Sequence, residues 1–544
     1  MNRCLRTPEL LQLICNQVPN NTSEDRQRLL AVALSCRALL EPALDRLWYK
    51  MTSFKALMTT LPNDLWSREI ITPPGTSNPK FPVVGLLRPM KNTDLTRYLS
   101  YYAPRIHEID LEDLSTTFTL EVWQALQALT NWKPGALTPS ARKVAWVLAP
   151  RKATIFKRSR QAVVQAFPYF VLFVGSPTKS LHITLDSGVP LQFTSARSAP
   201  NLPHSLEEFS LQDTGAYRTT HIHDYIYQVA FRWDNLKVLK VGSVGHAAYK
   251  HLSLLPCLFS LTIHDLSGDW PHHDYQGLSD SERPKYLDSI SPGSFPSLEV
   301  LSISSPDVSS FTDFLQQLPP GNRVHTLKCQ LTSTCKEDEL FDCFRAIEYH
   351  CNPQTLRNFV LKETTDITVE EDVESLDIDT YEGIDIAALF RFPKLENVSI
   401  NFSEPVNLMR AEIQDIAKSW PNLVKLKIDV DFPNSRIPMI DHEDILTLLY
   451  SCPRLKRLGL RFDATRINGN ETPANPVNDI PGPLEKLWVA NSPIYSPMSV
   501  SIFLDKHCPK VGRNIIPFSA KGVPHFVPMA LYTKRWVKAR EEYF

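Results

Sequence analysis

Glycine is scarce in this chain, at 18 of 544 residues, whereas ordinary proteins contain about 7%. The sequence holds no GxGxxG and no GxxxxGKS/T motif, so no glycine-rich turn is predicted to cradle a phosphate. A GxSxG elbow and an HExxH helix are absent as well. Ser, His and Asp all occur, but no local arrangement selects three of them. We therefore predict a protein with no enzymatic activity, no catalytic residues and no cofactor.

Long apolar runs and net charge are also lacking. The longest apolar run, residues 167–175, is far too short to span a bilayer. The N-terminal stretch MNRCLRTPELLQLIC has an acidic residue inside its apolar part and no small-residue cleavage site, so no signal peptide is predicted. The formal net charge of −1 gives the whole chain no electrostatic reason to seek nucleic acid or an anionic membrane.

The ten cysteines form no CxxC pair and no even framework. This usage is typical of buried thiols in a reducing compartment. We expect a cytoplasmic or nuclear protein whose partner is another protein, without nucleic acid or membrane.

Proline is abundant, at 43 residues, where about 5% is usual. Disordered proline-rich chains lack hydrophobic residues, but 43% of this chain is hydrophobic, so the prolines should mark structural boundaries. They recur in the pattern P-x-L-x-x-L-x-(L/I/V). Copies lie at residues 295–303, 392–400, 420–428, 452–460 and 482–489.

Degenerate copies fill the chain upstream and between these. They are the apolar triplets Ile106/Ile109/Leu111, Leu181/Ile183/Leu185, Leu206/Phe209/Leu211, Leu236/Leu239/Val241, Leu258/Leu261/Ile263, Val324/Leu327/Cys329 and Leu356/Phe359/Leu361. From Leu181 onward the copies begin roughly 22 to 40 residues apart, a spacing that indicates a solenoid of stacked repeats.

Each repeat is predicted to consist of a short strand and a helix. The alternating end of the pattern places two apolar side chains on one face of a strand. Amphipathic helices are predicted at residues 311–318, 339–349, 411–419 and 444–450, and the following proline ends each helix or turn. Such a unit cannot bury its apolar face alone, so neighbours stack with their strands in a parallel sheet.

The repeat pattern resembles leucine-rich repeats, which implies an α/β solenoid with outer helices over residues 86–516. Unit lengths vary, and the Asn or Cys usual after the last apolar position is mostly replaced, by Ser304, Asp429 and Arg461 among others. The solenoid is therefore expected to be irregular. The alternative is an ordinary α/β domain with several strands of this pattern.

Residues 1–50 have a different pattern, that of three short helices. Thr7 is a candidate cap with Pro8 at the first helical position, and a second helix is predicted to start at residues 23–25. A third is predicted to start near Glu41 and Pro42. Three helices in fewer than 50 residues form a marginal core, so a partner or the first repeat should cover much of their apolar surface.

This segment resembles an F-box. The resemblance rests on the strings TPELLxxI from Thr7, LLAVALSCR from Leu29 and PALDRLW from Pro42. It departs from the usual form in having Thr7 where Leu is common and an acid directly after the proline. The order of F-box, proline-rich connection at 51–85, repeats, and a C-terminal cap or tail at 517–544 is similar to F-box proteins of fungi, especially mushrooms.

The resemblance implies a substrate-recognition adaptor of a Skp–cullin–F-box ubiquitin ligase. The N-terminal helices would bind the Skp adaptor, and through it a cullin, while the repeats would hold a protein substrate that the sequence does not identify. The implied residues that dock, or that support the docking surface, are Pro8, Leu10, Leu11, Ile14, Leu30, Cys36, Pro42, Leu47 and Trp48. The alternative is a repeat scaffold whose F-box-like head only packs against the repeats, with no role in a ligase.

Three other features are assigned no site. The groups His221/His223/Asp224 and His272/His273/Asp274 have ligand chemistry but no metal-site spacing, so no metal is predicted. The basic stretch 142–160 has the composition of a nucleic-acid contact but is more typical of a solvated face or loop.

Residues 363–385 hold ten acids and no Lys or Arg, which predicts an insertion between two repeats that could attract a basic substrate. Residues 531–544 are predicted either to form a helix that caps the last repeat or to fray.

Overall fold

The structure is a computed structural model. It describes residues 7–20, 22–71, 81–111, 117–147, 166–185, 202–213, 233–242, 244, 246–266, 294–364, 383–406, 408–432, 437–473, 477–478, 480–518 and 527–542. The chain divides into two compact units, Met1–His251 and Leu252–Phe544.

The first unit opens with three helices and continues with strands. Its elements are α1 (Pro8–Gln17), α2 (Ser23–Ser35), α3 (Arg37–Trp48), β1 (Lys50–Met51), α4 (Lys55–Thr60), β2 (Trp66–Ile71), β3 (Phe81–Leu86), α5 (Asn92–Arg97), a π-helical turn Tyr98–Tyr102, β4 (Glu108–Asp110), β5 (Thr117–Phe118), α6 (Leu120–Leu129), β6 (Lys143–Val147), β7 (Ser180–Leu185), β8 (Glu208–Asp213) and β9 (Val238–Val241). Helix α7 (His246–Ser253) follows. Residues 51–85, expected as a proline-rich connection, thus contribute α4 and the antiparallel pair β2–β3.

Strands β1, β4, β6, β7, β8 and β9 lie side by side and parallel, in the order of the chain. The predicted apolar positions are in register, since Ile109 pairs with Val144, Val144 with Leu181, and Leu181 with Phe209. All four side chains are buried. Residues some thirty positions apart in sequence therefore form one continuous row of the core.

The second unit repeats one pattern of strand and helix. Its elements are β10 (Ser260–Ile263), β11 (Val300–Ser305), α8 (Val308–Gln316), β12 (Thr326–Leu331), α9 (Glu337–His350), β13 (Asn358–Glu363), β14 (Asn397–Asn401), α10 (Arg410–Ser419), β15 (Lys425–Ile428), α11 (His442–Ser451), β16 (Arg457–Gly459), β17 (Lys486–Ala490), α12 (Pro497–His507), β18 (Ile515–Pro517) and α13 (Val527–Glu541).

Strands β10 to β18 are parallel and again follow chain order, which brings the parallel strands of the described chain to fifteen. One buried row runs through Leu261, Leu301, Leu327, Phe359, Val398, Leu426, Leu458, Leu487 and Ile515. A doubly wound α/β sheet would depart from chain order at its switch point. The predicted α/β class with a long parallel sheet of sequential repeats is therefore confirmed.

The four predicted repeat helices are present as α8, α9, α10 and α11. The last two end where the sequence places proline. Trp420 N donates to Ile416 O and Cys452 N donates to Leu448 O, and Pro421 and Pro453 come next, with no N–H to continue the helix. The boundary signal was local, which is why the sequence alone located these helices well.

Buried acids and an amide hold the loops where some strands end. Glu363, at the end of β13, is buried and accepts hydrogen bonds from Cys335 N at 2.8 Å and Ser403 N at 2.7 Å. Asn401 Oδ1 accepts from Asp431 N at 2.9 Å. Glu363 therefore belongs to the fold, although the sequence grouped it with the acidic insertion. Residues 365–382 of that insertion lie outside the described residues.

Two predicted details of the N-terminal helices were wrong. Helix α3 begins at Arg37 rather than near Glu41, so Pro42 lies inside it. Neighbouring helices can hold a proline that an isolated helix would not tolerate. Thr7 occupies the cap position of α1, but its side chain makes no capping hydrogen bond.

Helix α13 packs at the C-terminal end of the second unit. Trp536 is wholly buried, and its Nε1 donates to Ser492 O at 2.9 Å. Arg535 Nη1 donates to Ile494 O at 2.8 Å. Among the described residues, no helix is both long enough and apolar enough to cross a bilayer.

Candidate functional site

The head, defined as helices α1 to α3, has a small core. Its centre is Cys15, Ala33 and Ala43, with Val32 and Leu39 packed around them. Small residues let the helices approach closely but bury little apolar area, so each contributes little to stability. The head therefore has few large apolar side chains in its interior.

Its larger apolar residues lie outside. Leu10, Leu13 and Ile14 of α1 are exposed, Leu13 by 57%. They are spaced i, i+3 and i+4, which places them on one face of the helix. Leu30 and Leu34 of α2 are spaced i and i+4 and are also exposed, Leu34 by 75%. We call these five residues, which lie on two helices that each pack on α3, the apolar head face.

One side of α3 is held by residues further along the first unit. Arg105 forms ion pairs with Glu41 and Asp45, and its guanidinium lies 4.6 Å from the centre of the Tyr101 ring. Tyr101 Oη donates to Glu41 Oε1 at 2.8 Å. These hydrogen bonds, first that from Arg105, hold the pKa of Glu41 below its ordinary value. Trp48 packs on Tyr102, with ring centres 4.5 Å apart.

The nine residues predicted to dock, or to support docking, fall into three groups. Pro8, Leu10, Ile14 and Leu30 are exposed, Cys36, Leu47 and Trp48 are partly buried, and Leu11 and Pro42 are buried. Leu11 and Pro42 can therefore support a docking surface from within but cannot touch a partner.

Leu13 and Leu34 were not among the predicted residues. Their helical spacing from Leu10 and Leu30 was the signal that could have identified them.

A cleft of about 530 Å³ lies between α1, α3 and the segment that follows the π-helical turn. Its lining is mixed, and the polar members include Gln12, Asp45, Tyr101, Arg105 and His107. The Arg105 ion pairs described above form part of its wall.

The open face of the sheet in the second unit carries a second candidate surface. Seven of the nine strands described there are preceded by a charged or polar residue, and six of these residues pair across neighbouring strands. We call them the paired row: Glu299 with His325 at 3.6 Å, Arg357 with Glu396 at 3.9 Å, and Lys456 with Glu485 at 3.5 Å. In two of these three pairs a permanently charged Arg or Lys balances a Glu where the strands begin.

At the next position, which is the first residue of the strand, three adjacent strands all have a cationic residue. Lys425, Arg457 and Lys486 stand in direct register on β15, β16 and β17. We call them the cation row. Among the described residues, no carboxylate lies within ion-pair distance of any of the three. Burial lowers the pKa of Lys425, and the charges of Lys427 and Arg457 lower it further.

An aromatic ring lies beside this row. Trp488 has Lys486 Nζ 4.6 Å and Lys427 Nζ 5.7 Å from its ring centre. Between Lys427 and Trp488 the chain has Gly459, where a Cβ would come within 3.0 Å of Lys427 Cγ. Gly459 is itself buried, because the side chains of Lys427 and Trp488 pack closely over it. Lys427 itself is paired with Asp431 at 2.6 Å, beyond the end of β15.

The described residues contain no group of three or more His, Cys, Asp or Glu placed to hold a metal ion. The two histidine groups considered from the sequence lie outside the described residues, as does the basic stretch beyond residue 147. The thiols are mostly buried, and burial raises the pKa of Cys343 to about 12. Such a thiol is not a ready nucleophile.

Comparison with known proteins adds little to this geometry. No protein-family model matches the chain, and no curated protein matches it. Among solved structures, the chain is similar to an internalin from Listeria monocytogenes, at 13% identity and a TM-score of 0.32. The similarity covers 70% of this chain and 86% of the internalin. A similarity of that size supports no argument about function.

Proposed function

We propose that this protein is a substrate-recognition adaptor of a Skp–cullin–F-box ubiquitin ligase. In this proposal the head binds the Skp adaptor and the repeats hold a protein target. The chain itself supplies proximity and orientation, and other subunits carry out ubiquitin transfer.

The observation that supports the proposal is the apolar head face. Burying one Leu or Ile side chain is worth about 1.5–3 kcal/mol, so five exposed ones on two short helices favour a bound partner. The sequence of the same helices resembles an F-box. Residues Leu10, Ile14 and Leu30 belong both to the resemblance and to the exposed face.

A second function is favoured by the other side of the head. Leu11 is only 4% exposed, Trp48 packs on Tyr102, and Arg105 holds Glu41 and Asp45. These contacts suit a head that is a fixed end of a repeat scaffold with no ligase partner. The two proposals differ in the role they give to the apolar head face.

The test is a pull-down of the full chain with a purified fungal Skp adaptor. Deleting residues 1–50 would be a poor control. Besides the apolar head face, it removes Lys50 of β1 and the acidic partners of Arg105. Point variants are sharper. Leu13→Glu with Leu34→Glu places two charges on the apolar head face without touching the head core.

The matched control is Gln12→Glu with Ser35→Glu, which adds the same charge to the same two helices at positions that are not three or four residues from any of the five apolar residues. The adaptor proposal expects binding by the parent and control chains and its loss in the Leu13/Leu34 variant. If the folded parent chain does not bind, the scaffold function is the better one. If the Leu13/Leu34 variant still binds, the apolar head face is not the docking surface.

A further inference from the structure

We infer that the open sheet face of the second unit binds a short acidic peptide segment of a partner protein through the cation row. The inference rests on the proposed role of the repeats as the part that holds a target. It adds the chemical class of that target. The sequence did not show it, because the residues involved are about thirty positions apart and meet only through the strand register.

Ion pairs among the described residues do not neutralise the charge of the cation row. Lys425, Arg457 and Lys486 occupy neighbouring strands, which lie about 4.8 Å apart, so three cations fall within roughly 10 Å. Like charges at this separation repel, and the described residues contain no carboxylate paired with any of them. A ligand that brings carboxylates to this row relieves the repulsion and gains charge-assisted hydrogen bonds.

Lys486 of the cation row is held beside an aromatic ring, and the row is accessible. Trp488 has the ammonium groups of Lys486 and Lys427 near its ring, an arrangement that favours an ordered cation. Arg457 is exposed, and Lys425 and Lys486 are partly exposed. An anion can therefore approach the row from the open side of the sheet, while the apolar side chains of the same strands are buried beneath it.

The small extent of the cation row favours a peptide over a nucleic acid. Acids flank the cation row along the direction of the strands: Glu396 and Glu485 directly precede β14 and β17, and Asp431 lies beyond the end of β15. A nucleic-acid strand carries a charge at every nucleotide and would meet these carboxylates. A short peptide with two or three Asp or Glu side chains fits between them.

The experiment measures binding of a fluorescent peptide in which Glu alternates with Ser to the full chain at low ionic strength. The matched peptide has Gln in place of Glu, and a single-stranded RNA oligonucleotide of equal charge is a third probe. The protein variants are a triple change on the row, Lys425→Gln, Arg457→Gln and Lys486→Gln, and a control triple, Lys394→Gln, Lys418→Gln and Arg454→Gln. The control residues are exposed in the same unit and carry the same total charge.

We expect the Glu peptide to bind and the Gln peptide not to bind. The row variant should bind the Glu peptide about tenfold or more weakly, because it loses all three charge-assisted contacts of the row. The control variant should bind like the parent. Added salt should weaken the parent's binding much more than that of the row variant.

A second form of the protein prevents an ambiguous negative result. In it, the acids among residues 366–381 are changed to Asn and Gln, so that the chain's own acidic segment cannot compete for the row. The inference is overturned if the Glu peptide binds neither form, if the row and control variants lose binding equally, or if the RNA binds the row more tightly than the peptide.

The fate of the adaptor proposal is separate. The row variant should still bind the Skp adaptor, and the Leu13/Leu34 variant should still bind the peptide. A chain that binds the Skp adaptor but not the peptide would contradict only this inference. A chain that binds the peptide but not the Skp adaptor would contradict only the adaptor role.

Discussion

Helices α2 and α8 both begin at a side-chain cap and both carry apolar residues at helical spacing, yet they place these residues differently. Helix α8 buries Val308, Phe311 and Leu315 in the repeat core. Helix α2 leaves Leu30 and Leu34 exposed. The repeats bury their apolar surface by stacking on their neighbours, whereas the head has apolar surface that no described residue covers. Similar helices thus bury their apolar residues in the repeats and expose some of them in the head.

The largest expected effect compares a repeat residue with a head residue of similar chemistry. Phe311→Ala removes a side chain that is wholly buried, so we expect a loss of about 3–5 kcal/mol in the stability of the second unit. Leu34→Ala removes an exposed side chain and should change stability by no more than about 0.5 kcal/mol. Hydrogen exchange in α8 and α2 measures both. Equal effects would mean that the head face is not free.

The pH dependence should differ in sign between the two regions. Burial raises the pKa of Asp429, after β15, to about 8, whereas an unfolded Asp titrates near 3.9. Between these values the folded chain holds a proton that the unfolded chain releases, so stability falls as pH rises through this window. The low pKa of Glu41 acts in the opposite direction, so the head should loosen as pH falls below about 4.

The variant Asp429→Asn tests the alkaline half of this comparison. The asparagine keeps an oxygen that can accept from Val406 N and tolerates the positive φ of 48°. We expect it to raise stability at pH 9 by about 1–3 kcal/mol and to flatten the pH profile between 4 and 8. A profile parallel to that of the parent chain, followed by thermal unfolding across pH, would contradict this.

How much of the structure could be predicted from the sequence depends on how far apart the interacting residues lie along the chain. The repeat helices and strands have signals within about ten residues, namely the proline and the alternating apolar positions, and these predicted the parallel sheet. The cation row and the Arg105–Glu41 pair join residues from about 30 to 64 positions apart, and no local pattern marks them. For Pro42, a local rule favoured a helix start, but packing with neighbouring helices extended α3 to Arg37.

The Arg105 contacts allow a direct test of how firmly the head is held. Arg105→Ala removes two ion pairs and the ring contact with Tyr101, so we expect local opening of α3 to become easier by about 1–2 kcal/mol. Arg105→Lys should recover only part of this, because an ammonium cannot serve both carboxylates in the forked geometry. Hydrogen exchange should speed up in α1 to α3 and stay unchanged in α8 and α9. A change spread over both units would show that the head is not a separate element.

The smallest expected effect on stability comes from the caps of α2 and α8. Both caps can be removed by substitution with alanine, which sharpens the comparison between the two helices. Thr22 Oγ1 accepts from Asp25 N at 3.1 Å, and Asp307 Oδ1 accepts from Ser310 N at 2.7 Å. Thr22→Ala and Asp307→Ala should each cost about 1 kcal/mol. In α8 the surrounding repeats resist local opening, so hydrogen exchange should change across neighbouring strands together. In α2 the loss should stay within the head, since its outer face has no described neighbour to share it. If Thr22→Ala slows or leaves unchanged the exchange in α2, the capping box is not what starts that helix. If instead it alters exchange in β11 and β12, the head and the repeats unfold together and are not separate elements.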